Sequence, residues 1–226
     1  MRVFIALPHN HRQVDFAAST AFYHPIKKDS PHQVSMNDAG GPEVLCNHNV
    51  LLAMAIDRYE AGEIDAFALM HADIGAEPGW LDVMIEEMEK VQADVISAVV
   101  PIKDDRGLTS TSVDDTGDEW LWRRLTFHDI HKLPKTFTDA DVGGPICLNT
   151  GLLVVKFGPW ALKTDADGNA DVRFRFEHAI KKDPLNGKRR CLFKPDDWLL
   201  SRDFRRLGLK LAATRQVCLN HCGGDF

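Results

Sequence analysis

The sequence predicts an α/β protein built on a mixed, mostly parallel sheet flanked by helices. Apolar runs of strand length alternate with amphipathic helical patterns as far as residue 102, which is typical of βα units. These runs are continuous rather than alternating, as expected for parallel strands buried on both faces. Beyond residue 102 the alternation stops, which indicates that the second half of the sheet is mixed rather than built of repeating βα units. We expect residues 1–226 to form a single domain, since that length suffices to bury a core.

The composition favours a cytoplasmic protein. Hydrophobic residues make up 44% and the net charge is −6, so no global field draws the chain to nucleic acid or anionic membrane, although Lys188, Arg189 and Arg190 cluster. No apolar run approaches the roughly 20 residues of a membrane span, and the first residues lack signal-peptide features. Five cysteines without a disulfide rhythm predict free thiols. Cys218, His221 and Cys222 have no second ligand pair for a closed zinc site.

The first strand is predicted over Arg2–Leu7, where Pro8 stops it, and is followed by a polar loop over His9–Arg12. A helix over Val14–Tyr23 and a weaker strand over Gln33–Met36 come next.

A long helix follows over Glu43–Ala61, with Pro42 at its start and Gly62 at its end. Asn47 and Asn49 are unusual there because asparagine has poor helix propensity. Asn49 is interpreted as an exposed polar position. For Asn47 both an exposed position and a contact with a ligand stay open.

The stretch from Asp65 to Leu81 carries the main functional signal. An apolar strand, Ala66–Met70, ends abruptly at His71-Ala72-Asp73, and Pro78 and Trp80 then open an amphipathic helix. Open α/β folds bind ligands at the carboxyl edge of the sheet, where this strand ends. His71 and Asp73 are spaced to reach one hard divalent cation. The alternative is a polar strand end at which Asp73 starts a turn.

The second half is less regular. A buried strand over Asp94–Ile102 is followed by a polar stretch, Lys103–Glu119, which predicts a structureless, mobile lid. Trp120–Phe127 alternates like a strand. Pro145–Val155 predicts a strand interrupted at Asn149-Thr150-Gly151.

The acidic stretch Asp165–Asp171 begins like a calcium loop, but its glycine is misplaced and Phe176 stands where a glutamate is needed, so a surface turn is favoured. Arg173–Phe176 predicts a strand with both phenylalanines facing in. A last helix opens at Pro195-Asp196-Asp197-Trp198 and ends at Gly208, before a strand over Leu209–Val217.

Common nucleotide and nucleophile motifs are missing: the sequence contains no GxGxxG, P-loop, GxSxG or HExxH pattern. Dehydrogenase, kinase and serine-hydrolase functions therefore lose most of their support.

Together these landmarks resemble a GT-A type glycosyltransferase of the family 2 kind, which transfers sugars from nucleotide donors. His71-Ala72-Asp73 matches the family's DxD motif, with histidine in place of its first aspartate, and the following PGWLDVMIEEM resembles the family's P-x-W-L helix. Asn149-Thr150-Gly151 resembles the acceptor-side strand, and Asp196-Asp197-Trp198 the carboxylate pair that opens a late helix. His221 resembles the late histidine that joins the metal.

The resemblance implies a GT-A-like domain with a nucleotide-sugar-binding half, residues 1–102, and an acceptor-side half, residues 103–226. Asp197 would be the general base, supported by Asp196. The implied donor-binding residues are Pro8, Asn10, Asp38, Asn47, His71 and Asp73. The implied acceptor-side residues are Asn149, Thr150, Gly151 and Trp198. The implied ligands of Mn²⁺ or Mg²⁺ are Asp73, His221 and His71.

The implied reaction moves a sugar from a uridine diphosphate donor, with inversion, to an acceptor that the sequence does not identify. Saccharides, lipid-linked sugars, proteins and modified nucleic acid bases all remain as candidate acceptors.

His71, which replaces an aspartate of the motif, is also compatible with a binding protein of the same fold that does not turn its ligand over. A nucleotidyltransferase would need a glycine-rich, basic loop after the first strand, and Leu7-Pro8-His9-Asn10 is not one. The alternative role of Asp196 and Asp197 is structural, because acidic residues in the first turn of a helix cap it and interact favourably with its dipole.

Overall fold

A seven-stranded mixed sheet with helices on both faces forms the centre of the protein. The computed structural model describes residues 1–10, 14–103, 105–183 and 186–221. The strands in chain order are β1 (Arg2–His9), β2 (Gln33–Gly40), β3 (Ala66–Met70), β4 (Ile74–Ala76), β5 (Val95–Ala98), β6 (Leu108–Val113), β7 (Arg123–Thr126), β8 (Thr136–Thr138), β9 (Ile146–Cys147), β10 (Leu152–Lys156), β11 (Glu177–Lys182), β12 (Arg189–Lys194), β13 (Leu211–Thr214) and β14 (Leu219–His221). The helices are α1 (Phe16–Tyr23), α2 (Val44–Glu60), α3 (Trp80–Lys90), α4 (Phe127–Lys132), α5 (Asp139–Val142) and α6 (Asp196–Arg206), with a 3₁₀ turn over Pro159–Leu162.

The large sheet has the strand order β2-β1-β3-β10-β5-β13-β8. Strands β10 and β8 run antiparallel to their neighbours, and the other strands share one direction. The predicted mixed, mostly parallel sheet is therefore confirmed. The carboxyl ends of β1, β2, β3, β5 and β13 meet at one edge, and the antiparallel β10 begins there.

The two faces of the sheet are covered by different helices, as the alternation of side chains along β1 shows. Val3, Ile5 and Leu7 pack with residues of α1 and α3. Phe4 and Ala6 point the other way and pack with residues of α2 and α6. Burying side chains of this size contributes about 1.5–3 kcal/mol each.

The first half follows the predicted βα alternation, with two differences. Strand β1 continues through Pro8 to His9. Proline is tolerated there because pairing with β3 ends at Ala6, so one side of β1 needs no further N–H donor. The short strand β4 was not predicted. It pairs antiparallel with β14 at the end of the described chain.

The prediction that Lys103–Glu119 forms a structureless loop is wrong. Strand β6 lies inside Lys103–Glu119 and pairs with β7 and β9. Its Thr109, Thr111 and Ser112 are buried although they are polar, and the Thr109 hydroxyl donates to the carbonyl of Leu125 at 2.8 Å. Polar side chains buried along a strand break the apolar alternation by which a strand is recognised in a sequence.

The segment Arg173–Phe176 is not a strand. Phe174 is buried, as predicted, but Phe176 is 45% exposed. Asn49, predicted as an exposed polar residue, holds this segment instead: its Nδ2 donates to the carbonyl of Phe174, and its Oδ1 accepts from the Phe174 N–H, both at 2.9 Å. Nearby, Asp165 accepts from the Asp167 and Asn169 backbones at 3.0 and 2.9 Å, as expected of a surface turn.

Two further predictions concern residues partly outside the described ranges. The four cysteines that the structure describes are free, and Cys222 lies outside the described residues. His11 and Arg12 of the predicted polar loop also lie outside them. Among the helices of the described part of the chain, none is long and apolar enough to cross a bilayer.

Candidate functional site

Asp73 and His221 lie side by side at the carboxyl edge of the sheet, as the sequence predicts. Asp73 follows β3, and His221 ends β14 opposite Ile74. The His221 Nε2 atom is 3.4 Å from Asp73 Oδ2. The His221 Nδ1 atom lies 2.7 Å from the carbonyl oxygen of Pro101, which only accepts, so Nδ1 carries a hydrogen. In the neutral ring, Nε2 then presents a lone pair towards the carboxylate.

A lysine supplies the positive charge that this pair of acceptors needs. Lys103 Nζ lies 2.7 Å from Asp73 Oδ2. Burial by itself disfavours the ionised form of Asp73, but the hydrogen bond and the charge of Lys103 act against it, and the pKa of Asp73 lies well below its usual range. Asp73 is therefore a carboxylate at any physiological pH, with a cation already beside it.

His71 is held by a second histidine. His48 Nδ1 lies 2.7 Å from the Val44 carbonyl and so carries a hydrogen, and His48 Nε2 is 3.2 Å from His71 Nε2. Burial lowers the pKa values of both rings, that of His71 to about 3, and the two histidines are neutral at pH 7. His71 must then donate from Nε2, which leaves the lone pair on its Nδ1.

The residues at Asp73 suit a divalent ion that takes further ligands from phosphate and water. A carboxylate and a neutral imidazole are suitable ligands for Mn²⁺ or Mg²⁺, and a fixed Nδ1–H bond is the usual support of a metal-binding histidine. No group of three or more His, Cys, Asp or Glu side chains converges within the described residues. An ion here would bind through Asp73 and His221 and would displace Lys103, with His71 as a third ligand only if its ring moves.

The carboxylate pair of α6 belongs to the same edge. The Asp196 carboxylate accepts a hydrogen bond from the Thr150 hydroxyl. Burial raises the pKa of Asp196, and burial together with the Asp196 charge raises the pKa of Asp197 to about 7. The sequence led us to expect that the helix dipole and any nearby metal would hold both groups ionised and lower their proton affinity. The pKa shifts have the opposite sign, because burial disfavours the charged form of each carboxyl.

The turn Asn149-Thr150-Gly151 joins the two parts of the site. Asn149 is buried, and its Nδ2 donates to the Ala98 carbonyl at 2.6 Å while its Oδ1 accepts from the Gly151 N–H at 2.9 Å. The Gly151 carbonyl accepts from the His71 N–H at 2.8 Å. These contacts give the turn a positioning role, and its contact with an acceptor stays a prediction.

Trp198 also has partners within the chain. Its ring stacks on Trp122 with centroids 4.5 Å apart, and Arg124 lies 5.8 Å from its centroid. The indole nitrogens of both tryptophans are buried and have no hydrogen-bond partner among the described residues. The predicted contact of Trp198 with an acceptor is untested.

The remaining donor candidates surround the ends of β1 and β2. Pro8 is buried in β1, and Asn10 is exposed just beyond it. Asp38 pairs with His9 Nε2 at 3.0 Å. Asn47 Nδ2 donates to the carbonyls of His9 and Gly41 at 3.0 and 3.2 Å, so only its Oδ1 is left for a ligand. Contact of these residues with a donor stays a prediction.

Sequence reasoning missed two residues of this site. His48 lies within the helix predicted over Glu43–Ala61, and its place one helical turn after Val44 gives no sign of a partner directly after β3. Lys103 was assigned to the lid. Both contacts depend on the strand order, which brings the ends of β3, β5 and β14 together.

Comparison with known proteins supports the fold and nothing finer. No family model matches the sequence, and no curated protein matches it. The crystal structure of A197 from STIV is similar to this chain, with a TM-score of 0.52 and 13% sequence identity over 98% of this chain and 85% of that one. At this identity the likeness shows a shared α/β architecture.

Proposed function

We propose that the protein is a GT-A type glycosyltransferase that moves a sugar from a nucleotide-sugar donor, a uridine diphosphate sugar, to an acceptor hydroxyl with inversion. The observation that carries the proposal is the meeting of Asp73, His221 and Lys103 with the Asp196–Asp197 pair at one sheet edge. One group of side chains suits a diphosphate, and the other suits an acceptor hydroxyl. Open α/β folds place ligands at this edge.

The leaving-group side is electrostatic. As the bond between the sugar and the diphosphate breaks, negative charge grows on the departing oxygen. Lys103 is the cation in the site that would neutralise this charge. Opposite charges about 4 Å apart interact by roughly 4 kcal/mol at an effective dielectric of 20. A divalent ion held by Asp73 and His221 would supply Lewis-acid neutralisation of the same oxygen.

The acceptor side needs a base. The acceptor hydroxyl loses its proton as its oxygen attacks the anomeric carbon, and Asp197 takes that proton. A pKa of about 7 suits this role, because such a carboxylate is ionised near neutral pH and still has useful proton affinity. The Asp197 Oδ1 accepts from the Trp198 N–H at 2.8 Å, which fixes the carboxylate.

A second candidate is a nucleotide-sugar-binding protein of this fold that has lost turnover. It is favoured by His71, which replaces an aspartate of the motif, and by the ion pair that already occupies Asp73. A donor-hydrolysis assay separates the two candidates. Uridine diphosphate sugars are incubated with Mn²⁺, and release of the nucleoside diphosphate is measured for the wild type and Asp197→Asn. Release that depends on Asp197 supports the transferase; binding without release supports the second candidate.

A further inference from the structure

The β11–β12 hairpin, residues 177–194, carries an unusual concentration of positive charge. Four of its cations are exposed and make no ion pair within the described residues: Lys182, Lys188, Arg189 and Arg190. The register sets Lys182 directly opposite Arg189, and Lys181 opposite Arg190. Like charges in such cross-strand pairs destabilise a hairpin. The chain as a whole has a net charge of −6, so this locally positive surface indicates a binding site for an anionic partner.

The two faces of the hairpin differ. On the inner face, Lys194 is buried, pairs with Glu119 and Glu177 at 3.1 and 3.2 Å, and lies 4.1 Å from the Trp120 ring centroid. Lys181 also contacts that ring, at 5.2 Å. These cations anchor the hairpin to the rest of the protein and are not available to a partner.

The outer face is fully exposed and combines apolar with cationic side chains. It consists of the directly opposed pairs His178–Phe193, Ile180–Cys191 and Lys182–Arg189. Ile180 is 74% exposed and Phe193 is 44% exposed, and Phe176 continues the apolar strip at 45%. Exposed apolar side chains beside basic ones are the combination that binds an anionic lipid surface.

The apolar part argues against a nucleic acid. An exposed isoleucine offers a base no stacking surface. The Phe193 ring packs against Phe176 and His178 at tilted angles, each with centroids 5.1 Å apart, so its faces are partly covered by its neighbours and less available for stacking with bases. We propose that the outer face of this hairpin docks the protein peripherally on anionic membranes.

Docking would bring the acceptor side of the candidate site close to the lipid surface, since β12 ends two residues before Asp196. It does not require glycosyl transfer, so the docking and the proposed activity can fail separately.

Vesicle flotation tests the docking directly. The full chain is mixed with vesicles of phosphatidylcholine alone or of phosphatidylcholine with phosphatidylglycerol, at low and high salt. The wild type should float only with the anionic vesicles and less at high salt. The double variant Lys182→Glu/Arg189→Glu should lose at least about 25-fold in partitioning, about fivefold for each cation removed. Ile180→Ser should lose about tenfold, because less apolar surface enters the interface.

Matched variants guard against indirect effects. Lys132→Glu/Lys163→Glu makes the same charge change at exposed residues away from the hairpin and should float like the wild type. Unchanged melting temperatures would show that all variants fold. Failure of the wild type to float with anionic vesicles overturns the proposal. It is also overturned if Ile180→Ser floats like the wild type while a single-stranded oligonucleotide binds the hairpin and is lost with Lys182→Glu/Arg189→Glu.

Discussion

His221 Nε2 lies 3.4 Å from Asp73 Oδ2 because β14, at the end of the described chain, pairs with β4, the short strand directly after Asp73. The pairing sets His221 opposite Ile74, one residue beyond Asp73. The site therefore depends on a long-range strand pairing, and Lys103 completes it from the connection between β5 and β6.

Replacing Lys103 should expose its competition with a metal ion. Lys103→Met removes the ammonium that lies 2.7 Å from Asp73 Oδ2. Mn²⁺ binding without nucleotide, followed by isothermal titration, should tighten by up to about fivefold, in line with a partly exposed ion pair. Nucleoside diphosphate binding without metal should weaken in the same variant. Lys135→Met, an exposed lysine elsewhere, is the control, and equal Mn²⁺ affinities in all three proteins would contradict the competition.

The pH dependence of the transfer rate should reflect the ionisation of the Asp197 carboxyl. A base must be ionised, so the rate should rise with pH up to about 7 and level off above it. Asp197→Asn should slow transfer by about 10²-fold or more, with donor affinity nearly unchanged. Asp196→Asn should move the rising limb to lower pH, because the Asp196 charge helps to raise the pKa of Asp197.

Other results would reassign the base. If Asp196→Asn alone abolishes transfer, the two aspartates have exchanged roles. If neither variant slows it, both merely cap α6 and the proposed mechanism is wrong.

The raised pKa of Asp197 also predicts a cost in stability. An aspartate has a pKa of about 3.9 when unfolded, so between there and about 7 the folded protein takes up a proton that the unfolded chain has lost. The stability of the wild type relative to Asp197→Asn should therefore fall by up to about 1.4 kcal/mol per pH unit across this window and stay constant above it. Chemical denaturation at a series of pH values measures the difference. If the difference in unfolding free energy between the two proteins does not change with pH, Asp197 is not buried as described.

Much of the fold was predictable because its first half is built from local patterns. The apolar runs before Pro8 and His71 and the amphipathic helix from Trp80 predict β1, β3 and α3 with small errors at their ends. The missed β4 and β6 have no such pattern: β4 has three residues, and β6 buries threonine and serine side chains where apolar ones are expected.

The candidate site was predictable only where a strand or helix end marked it. Asp73, Asp196 and Asp197 stand at such ends. The partners of His71 and Asp73, which are His48 and Lys103, come from distant segments, and no sequence pattern indicates them. The sign of the Asp197 pKa shift was missed for a related reason, since burial at a helix start depends on what packs over it.

Nucleotide binding at Asp73 is the central claim, and calorimetric titration of uridine diphosphate with Mn²⁺ tests it most directly. The wild type should bind the nucleotide more tightly with Mn²⁺ than without it. Asp73→Ala should lose this metal-dependent part while keeping its fold, and Asp57→Ala, an exposed aspartate on α2, should behave like the wild type. If Asp73→Ala binds uridine diphosphate and Mn²⁺ as well as the wild type, or if the wild type binds no nucleotide, the site assignment is contradicted.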